Sequence, residues 1–321
     1  MSRIHEALKK AEQERASGQI PDLPILNAEA NTFAPSAVVD THVPATSEAI
    51  TVAGESLVSP AGGFLRFEEL IQRCSRPTWK PDPNVNVFLN SDLPPHASEQ
   101  FRTLRSRLYQ MRSAQTLKTL LVTSSIPSEG KTFVTGNLAQ AIVRQPDRRV
   151  LMIDADLRCS RLHVPLGAPL SPGLTDYLRG DADELKVIQY HPESNLCFIP
   201  GGTEVSNPSE LLSNGKLKSL LDRVSPMFDW VLLDSAPLIP VADSSFLADL
   251  VDGVLLVVRA GSTPSATAQR SCQELQGRTV VGVVLNAVDP EHAYGGYYSS
   301  YGYGYGYGRN QGANGAQAAQ D

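Results

Sequence analysis

Several things are scarce in this chain. Its four cysteines (Cys74, Cys159, Cys197 and Cys272) lie far apart and form no CxxC pair. That argues against a disulfide framework or a zinc site and fits a reducing compartment. No run of about 18 or more apolar residues occurs, so no membrane-spanning helix is expected. The N-terminal stretch MSRIHEALKKAEQERA is charged throughout and lacks the apolar region of a secretory signal. Lysine and arginine are missing from 16 to 65, and the net charge is −6, which counts against a general nucleic-acid binder. Aromatic residues are few and badly distributed. Of ten tyrosines, seven (Tyr294, Tyr297, Tyr298, Tyr301, Tyr303, Tyr305 and Tyr307) crowd into the glycine-rich C-terminus, where nothing aliphatic accompanies them to build a core.

What is present suffices for one sizeable domain. Hydrophobic residues make up 41% of the 321 residues and charged residues 19%, which excludes wholesale disorder. Residues 1–17 read as a short amphipathic helix, with Ile4, Leu8 and Ala11 on one face; it is either a frayed terminus or a docking helix. Residues 18–84, where Pro, Ala, Thr, Ser and Val follow one another without period, read as a disordered linker. From 85 to 289 short apolar runs alternate with helical stretches. The runs are Leu117–Thr123, Val150–Ile153, Leu196–Ile199, Trp230–Leu233, Gly253–Val258 and Val280–Leu285. This alternation predicts an α/β domain with a mostly parallel sheet covered by helices on both faces. Residues 290–321 form the flexible Tyr/Gly tail.

The strongest motif follows the first run. Leu120 to Thr132 reads strand, then Ser-Ser-Ile-Pro-Ser-Glu-Gly-Lys-Thr, then helix. That is the setting of a P-loop, in which backbone N–H groups and a helix N-terminus face phosphates. Lys131 is expected to reach the β- and γ-phosphates and Thr132 to ligate Mg²⁺. Ser128, Glu129, Gly130 and Phe133 complete the expected nucleotide contacts. One departure stands out: the pattern G-x-x-x-x-G-K-[ST] asks for glycine where this chain has Ser125. Two other runs end in acids. Val150–Ile153 leads into Asp154-Ala-Asp156-Leu-Arg158, and Trp230–Leu233 leads into Asp234. Ligands of open parallel sheets sit at the C-terminal strand ends, and an Asp there helps to hold Mg²⁺. Asp154 and Asp156 share a parity, so on a strand both point to one side. Any one of these acids could merely cap a helix; together with the P-loop they point to a nucleotide site.

With these residues in hand, the chain resembles the bacterial tyrosine autokinases (BY-kinases) of capsule and exopolysaccharide synthesis. The resemblance covers about 90–307. It rests on the P-loop, on Asp154-x-Asp156-x-Arg158, on Val231–Asp234 followed by Ser-Ala-Pro, on Pro200-Gly201-Gly202 with Asn207-Pro-Ser-Glu-Leu-Leu212, and on the tyrosine-rich C-terminus. It implies a P-loop NTPase fold that uses ATP and Mg²⁺ to phosphorylate its own tyrosine cluster, typically in trans, in the service of polysaccharide polymerisation and export. Lys131, Asp154, Asp156 and Asp234 become the expected catalytic residues, with Thr132, Asp154 and Asp234 at the metal. Asp154 or Asp156 would deprotonate the tyrosine, and sequence does not divide the two. Arg158 is expected at phosphate, at Asp156 or in a structural ion pair. Glu99, Arg102 and Arg105, spaced ExxRxxR along one side of a helix, are either a solvated face or, as the resemblance implies, a contact between subunits of a ring. The resemblance further implies a membrane-anchored activator of the polysaccharide chain-length (co-polymerase) type, a tyrosine phosphatase, and a cytoplasmic protein held at the inner face of the membrane through its partner.

Two other classes compete. A ParA/MinD-type ATPase switch shares the fold but carries a second lysine near the start of the loop, absent from Ile126–Thr132 here. A catalytically silent nucleotide-binding scaffold would lack one of the acids, and none is missing. Asn286-Ala-Val-Asp289 lacks the lysine of a GTPase motif, which leaves Asn286 as a candidate contact for adenine.

Overall fold

A computed structural model describes residues 66–93 and 95–288. In chain order the elements are α1 (Phe67–Arg73), α2 (His96–Ala114), β1 (Thr119–Ser124), α3 (Lys131–Val143), β2 (Val150–Asp154), α4 (His163–Leu166), α5 (Leu174–Arg179), α6 (Glu184–Val187), β3 (Gln189–Tyr190), β4 (Leu196–Ile199), α7 (Pro208–Ser213), α8 (Lys216–Val224), β5 (Trp230–Asp234), α9 (Asp243–Ala248), β6 (Gly253–Arg259), α10 (Ser265–Glu274) and β7 (Val280–Asn286). The seven strands form one sheet in the order β3-β4-β2-β5-β1-β6-β7. All neighbours are parallel except the short β3, which runs antiparallel to β4.

Strand alternation divides the core into two layers. Leu120, Val122, Val150, Met152, Trp230, Leu232, Leu255 and Val257 pack with Phe101 and Leu108 of α2 and with Val134, Leu138 and Ile142 of α3. Leu121, Leu151, Ile153, Val231, Leu233, Val254 and Leu256 face the other way, toward α1, α5, α8 and α9. Strands β1, β2, β4 and β5 are buried at every position, which is why they read as continuous apolar runs rather than as alternating ones. The covering helices follow the 3.6-residue period. In α8, Leu217, Leu220, Leu221 and Val224 are all buried, Gly215 precedes the helix with φ 81°, and Pro226 follows it.

The structure changes the expected domain boundary. Within the predicted linker 18–84, residues 66–84 belong to the folded domain. Phe67 and Leu70 of α1 and Trp79 are buried. Ser75 forms a parallel bridge with Gln189 at the sheet edge, where the Ser75 N–H donates to the Ile188 carbonyl and the Tyr190 N–H donates to the Ser75 carbonyl. The Lys80 and Asp82 amides donate to the Gly167 and Pro165 carbonyls. Composition hid this because about two turns of helix with two buried apolar anchors carry too weak a period to stand out. The expected helix 1–17, the rest of the linker and the tail 290–321 lie outside the described residues.

Candidate nucleotide and phosphoryl-transfer site

The loop between β1 and α3 takes the path a phosphate cradle requires. Gly130 caps α3 in the left-handed region (φ 94°), and Ser128 shares that region at φ 67°. A Cβ at Gly130 would overlap the Asn286 amide, so only glycine fits there. Ser125, where the pattern asks for glycine, is not among the residues with positive φ. Its backbone conformation accepts a side chain, which accounts for the departure. The loop is pinned from two sides. The buried Glu129 carboxylate accepts from the Ile126 amide (2.8 Å), the Arg259 amide (3.3 Å) and the Thr263 hydroxyl. Asn286, at the end of β7, donates from Nδ2 to the Glu129 carbonyl at 2.8 Å.

The acids converge on this loop because β1, β2 and β5 are adjacent. Asp154 and Asp234 are register partners at the C-terminal ends of β2 and β5. Thr132 Oγ1 donates to Asp234 Oδ2 at 2.6 Å, and Lys131 Nζ lies 3.0 Å from Asp156 Oδ2. Asp154 Oδ2 accepts from Ser160 Oγ (2.7 Å) and the Leu162 amide (3.0 Å). Asp154 and Asp156 both lie near Lys131 and raise its pKa, and the Asp156 amide donates to Asp154 Oδ1 at 3.3 Å. β2 ends at Asp154, and the two carboxylates take different partners: Asp154 bonds Ser160 and Leu162, and Asp156 bonds Lys131 and Cys159.

Electrostatically the site is a set of buried carboxylates around one ammonium. Burial pushes Asp234 up to about 7, against the nearby Lys131 charge, and Asp154 up to about 6, against its hydrogen bonds from Ser160 and Leu162. Burial also works against the Lys131 charge, but Asp234, Asp156 and Asp154 outweigh it and hold its pKa above the ordinary value. Buried oxygen donors short of positive charge suit a hard divalent cation. Thr132 Oγ1 and the Asp234 carboxylate supply such oxygens, and Asp154 is close by. Among the described residues no group of three or more His, Cys, Asp or Glu could hold a metal ion alone. Magnesium typically takes only one or two carboxylates and completes its shell with phosphate and water, so this donor set fits it.

The remaining expected site residues make contacts of their own. Phe133 turns its ring edge-on to Phe101, with centroids 5.8 Å apart, and packs in the α2–α3 layer, so its side chain is a packing group. Arg158 takes the third of the roles left open for it, a structural ion pair with Asp243, and also donates to Ser209. Along α2, Glu99 and Arg102 form an exposed i,i+3 ion pair, whereas Arg105 donates to the Ala141 carbonyl of α3 at 2.6 Å. ExxRxxR is therefore not one uniform face. Sequence reasoning missed Ser160, Asp243 and Thr263, and it gave no role to Ser209 within the Asn207–Leu212 stretch. Each is a single polar residue in a loop or at a helix start, and only tertiary contacts give it meaning. The Pro200–Gly202 segment closes the site from the β4 side, where a Cβ at Gly201 would run into Ser160. A cavity of about 530 Å³ opens beside Thr132 and Ser160, walled by Val85, Phe133, Val164 and Leu166. The seven tail tyrosines lie outside the described residues.

Comparison with known proteins places this geometry. The CobQ/CobB/MinD/ParA nucleotide binding domain matches residues 120–301. The tyrosine-protein kinase YwqD of Bacillus subtilis (strain 168) is 31% identical over 206 residues, 63% of this chain and 86% of its own. The tyrosine-protein kinase etk of Escherichia coli (strain K12) is 34% identical over 226 residues, 70% of this chain and 31% of its own. EpsB of Ralstonia solanacearum is 38% identical over 207 residues, 64% of this chain and 27% of its own, so the chain spans about a third or less of these longer relatives. Among solved structures, the kinase domain of Escherichia coli tyrosine kinase ETK is similar with TM-score 0.57 and 35% identity, covering 60% of this chain and 76% of that one. The VpsO kinase domain is similar with TM-score 0.55 and 31% identity, covering 60% and 97%.

Proposed function

The chain belongs to the bacterial tyrosine-protein kinases, within the CobQ/CobB/MinD/ParA nucleotide-binding family, and on that premise we propose that it is an ATP- and Mg²⁺-dependent autokinase acting on its own C-terminal tyrosines. The observation that carries this reading is the convergence of Lys131, Thr132, Asp154, Asp156 and Asp234 at three adjacent strand ends, on a chain that also carries Tyr294–Tyr307 among glycines. The rival ATPase switch leaves that tyrosine cluster without a role.

When bound, MgATP supplies the γ-phosphoryl group and the positive charge that offsets its charge in transfer. The chain's own groups position it. The loop amides and Gly130 admit the phosphates closely, Lys131 moves from Asp156 toward the transferring phosphoryl oxygens, and Thr132 with Asp234 anchors the cation. The tyrosine proton passes to the Asp154–Asp156 pair; burial raises Asp154 toward the working pH, which suits a general base. Asn286 commits Nδ2 to the loop, which leaves Oδ1 to accept from the exocyclic amine of adenine and disfavours guanine, whose O6 is an acceptor.

Glycine-separated tyrosines can be threaded one after another into a neighbour's site. Each phosphate adds about 1.5–2 negative charges, and several on one tail repel one another and the acidic site, which loosens an oligomer. Glu99 and Arg102 present an exposed charged pair for such a ring. The linkage to polysaccharide export, a membrane-anchored activator, an opposing tyrosine phosphatase and peripheral attachment at the inner membrane face belong to the same proposal. No helix among the described residues is long and apolar enough to cross a membrane. Incubation of the full chain with MgATP, followed by phosphopeptide mapping, tests the reading. Phosphotyrosine should appear between 294 and 307.

A further inference from the structure

Asp243 is the first residue of α9 and lies nine residues past Asp234, outside every motif that marks the nucleotide site. Its carboxylate is almost fully buried, at 2% side-chain exposure, yet it does not touch Lys131, Thr132 or the other acids. It receives three bonds. Arg158 Nε donates to Oδ2 at 2.7 Å, an Arg158 terminal nitrogen donates to Oδ1 at 3.2 Å, and Ser209 Oγ donates to Oδ1 at 2.6 Å. The same Arg158 nitrogen reaches Ser209 Oγ at 2.7 Å, closing a triangle between the loop after β2, α7 and α9. Burial raises the Asp243 pKa, but the bonds from Arg158 and Ser209 outweigh it and hold the carboxyl below its ordinary range. A buried carboxylate so fully occupied is costly to strip of its partner. Arg158 is therefore held where it is by Asp243 and Ser209.

The loop it holds is the one that bears the chemistry. Asp154 and Asp156 precede Arg158. The start of the loop is tied to its neighbours by the Ala155 amide, which donates to the Asp234 carbonyl at 2.8 Å, and by the Lys131–Asp156 ion pair at 3.0 Å. Beyond Asp156 the ties on this side are local. The Cys159 amide donates to Asp156 Oδ1 at 3.1 Å, and Ser160 Oγ donates to Asp154 Oδ2 at 2.7 Å. Neither bond fixes the loop relative to the rest of the domain. The fork of Arg158 on Asp243 fixes the stretch beyond Asp156, because α9 follows the Asp234 strand end and is bonded to it through Ser244 and Ser235.

We propose that Asp243 is a positioning residue for phosphoryl transfer, acting through Arg158 and with Ser209 to set the loop that presents Asp154 and Asp156 to the nucleotide and the acceptor hydroxyl. This rests on the kinase reading. It also assigns Arg158 to loop positioning in place of phosphate binding. The two roles separate experimentally. A phosphate ligand contributes to nucleotide affinity, whereas a positioning group contributes to the rate of transfer.

The test uses the full-length chain carrying Arg158→Gln, Arg158→Lys, Asp243→Asn, Ser209→Ala or the Arg158→Gln/Asp243→Asn pair. Autophosphorylation kinetics in MgATP are measured beside the affinity for a fluorescent ATP analogue and the melting temperature. Arg158→Gln and Asp243→Asn should each lower kcat by about 10- to 100-fold with nucleotide affinity held within about twofold. The pair should be no slower than the slower single variant, since both remove one unit. Arg158→Lys should recover part of the rate, and Ser209→Ala should lose less than either. Should Asp243→Asn fail to fold, the half-exposed Arg158 and Ser209 carry the test. Loss of nucleotide affinity in Arg158→Gln, or an unchanged kcat in that variant, overturns the proposal. A wild-type chain that makes no phosphotyrosine overturns the kinase reading itself, whereas variants that match an active wild type overturn only this inference.

Discussion

Lys131 Nζ and Asp156 Oδ2 stand 3.0 Å apart, so the lysine of the phosphate loop is paired with the carboxylate of the loop opposite. Its raised pKa keeps it charged across the working range. The pair holds the ammonium at the site before phosphates arrive and must part for it to reach them. Lys131→Met removes the charge that stabilises transfer and should lower autophosphorylation by at least about 100-fold, measured as phosphate incorporated from labelled ATP. Asp156→Asn should also lose activity while binding nucleotide at least as well as wild type, because the competing carboxylate charge is gone. A Lys131→Met variant that retains wild-type phosphorylation would refute the assigned role of the lysine.

Buried Asp154 and Asp234 make the site sensitive to pH in a defined direction. Their folded pKa values, about 6 and about 7, lie above the unfolded value near 3.8. Their contribution to stability is therefore full below about pH 4 and is lost as pH rises through 6 to 7. The nucleotide-free chain should melt at a lower temperature at pH 8 than at pH 5.5, and Asp234→Asn should flatten that difference. Binding of the magnesium nucleotide needs the charged carboxylates, so affinity should rise over the same window with proton release, measurable by calorimetry in buffers of different ionisation enthalpy. A pH-independent melting temperature for both proteins would contradict this account.

Helix α1 belongs to the folded domain, and its removal should be costly. Leu70 is fully buried, so Leu70→Ala is expected to destabilise the chain by about 2–5 kcal/mol, read by urea denaturation. A chain beginning at residue 85 loses Phe67, Leu70 and Trp79 together and should melt well below one beginning at 66. Equal melting temperatures would restore the linker assignment for 66–84.

The ExxRxxR helix splits into an outward and an inward part. Glu99 and Arg102 are exposed, and an ion pair of this kind contributes only about 0.2–0.5 kcal/mol. Glu99→Ala with Arg102→Ala should leave the melting temperature nearly unchanged but reduce the oligomer mass by light scattering. Arg105→Ala removes a bond to the Ala141 carbonyl and should cost about 1.5–3 kcal/mol whatever the oligomeric state. An unchanged mass in the Glu99/Arg102 variant would remove the ring role.

Much of the fold was legible because burial on both faces writes parallel strands as uninterrupted apolar runs. Leu196–Ile199 matches β4 residue for residue, and the other five runs agree with their strands to within two residues at each end. The two-residue β3 was invisible; it exists only because it pairs with Phe198 and Cys197 and lies beside Ser75. At the site, Lys131, Thr132 and the three acids were readable because they sit at the start of a helix or at, or just past, the end of an uninterrupted apolar run. Asp243, Ser160 and Glu129's bond to Thr263 were not, since they depend on which loops the topology brings together. Phe133 misled for a related reason. Following Gly-Lys-Thr places it next to the phosphates in sequence, yet on a helix its side chain rotates into the layer beneath Phe101.

The central claim is that the chain is both enzyme and substrate. Its most direct test is mass spectrometry of the full-length protein after incubation with MgATP, alongside Lys131→Met treated identically. The account predicts phosphotyrosine at one or more of Tyr294, Tyr297, Tyr298, Tyr301, Tyr303, Tyr305 and Tyr307 in the wild type and none in the variant. No phosphotyrosine in the wild type, or phosphate confined to serine and threonine, would contradict it.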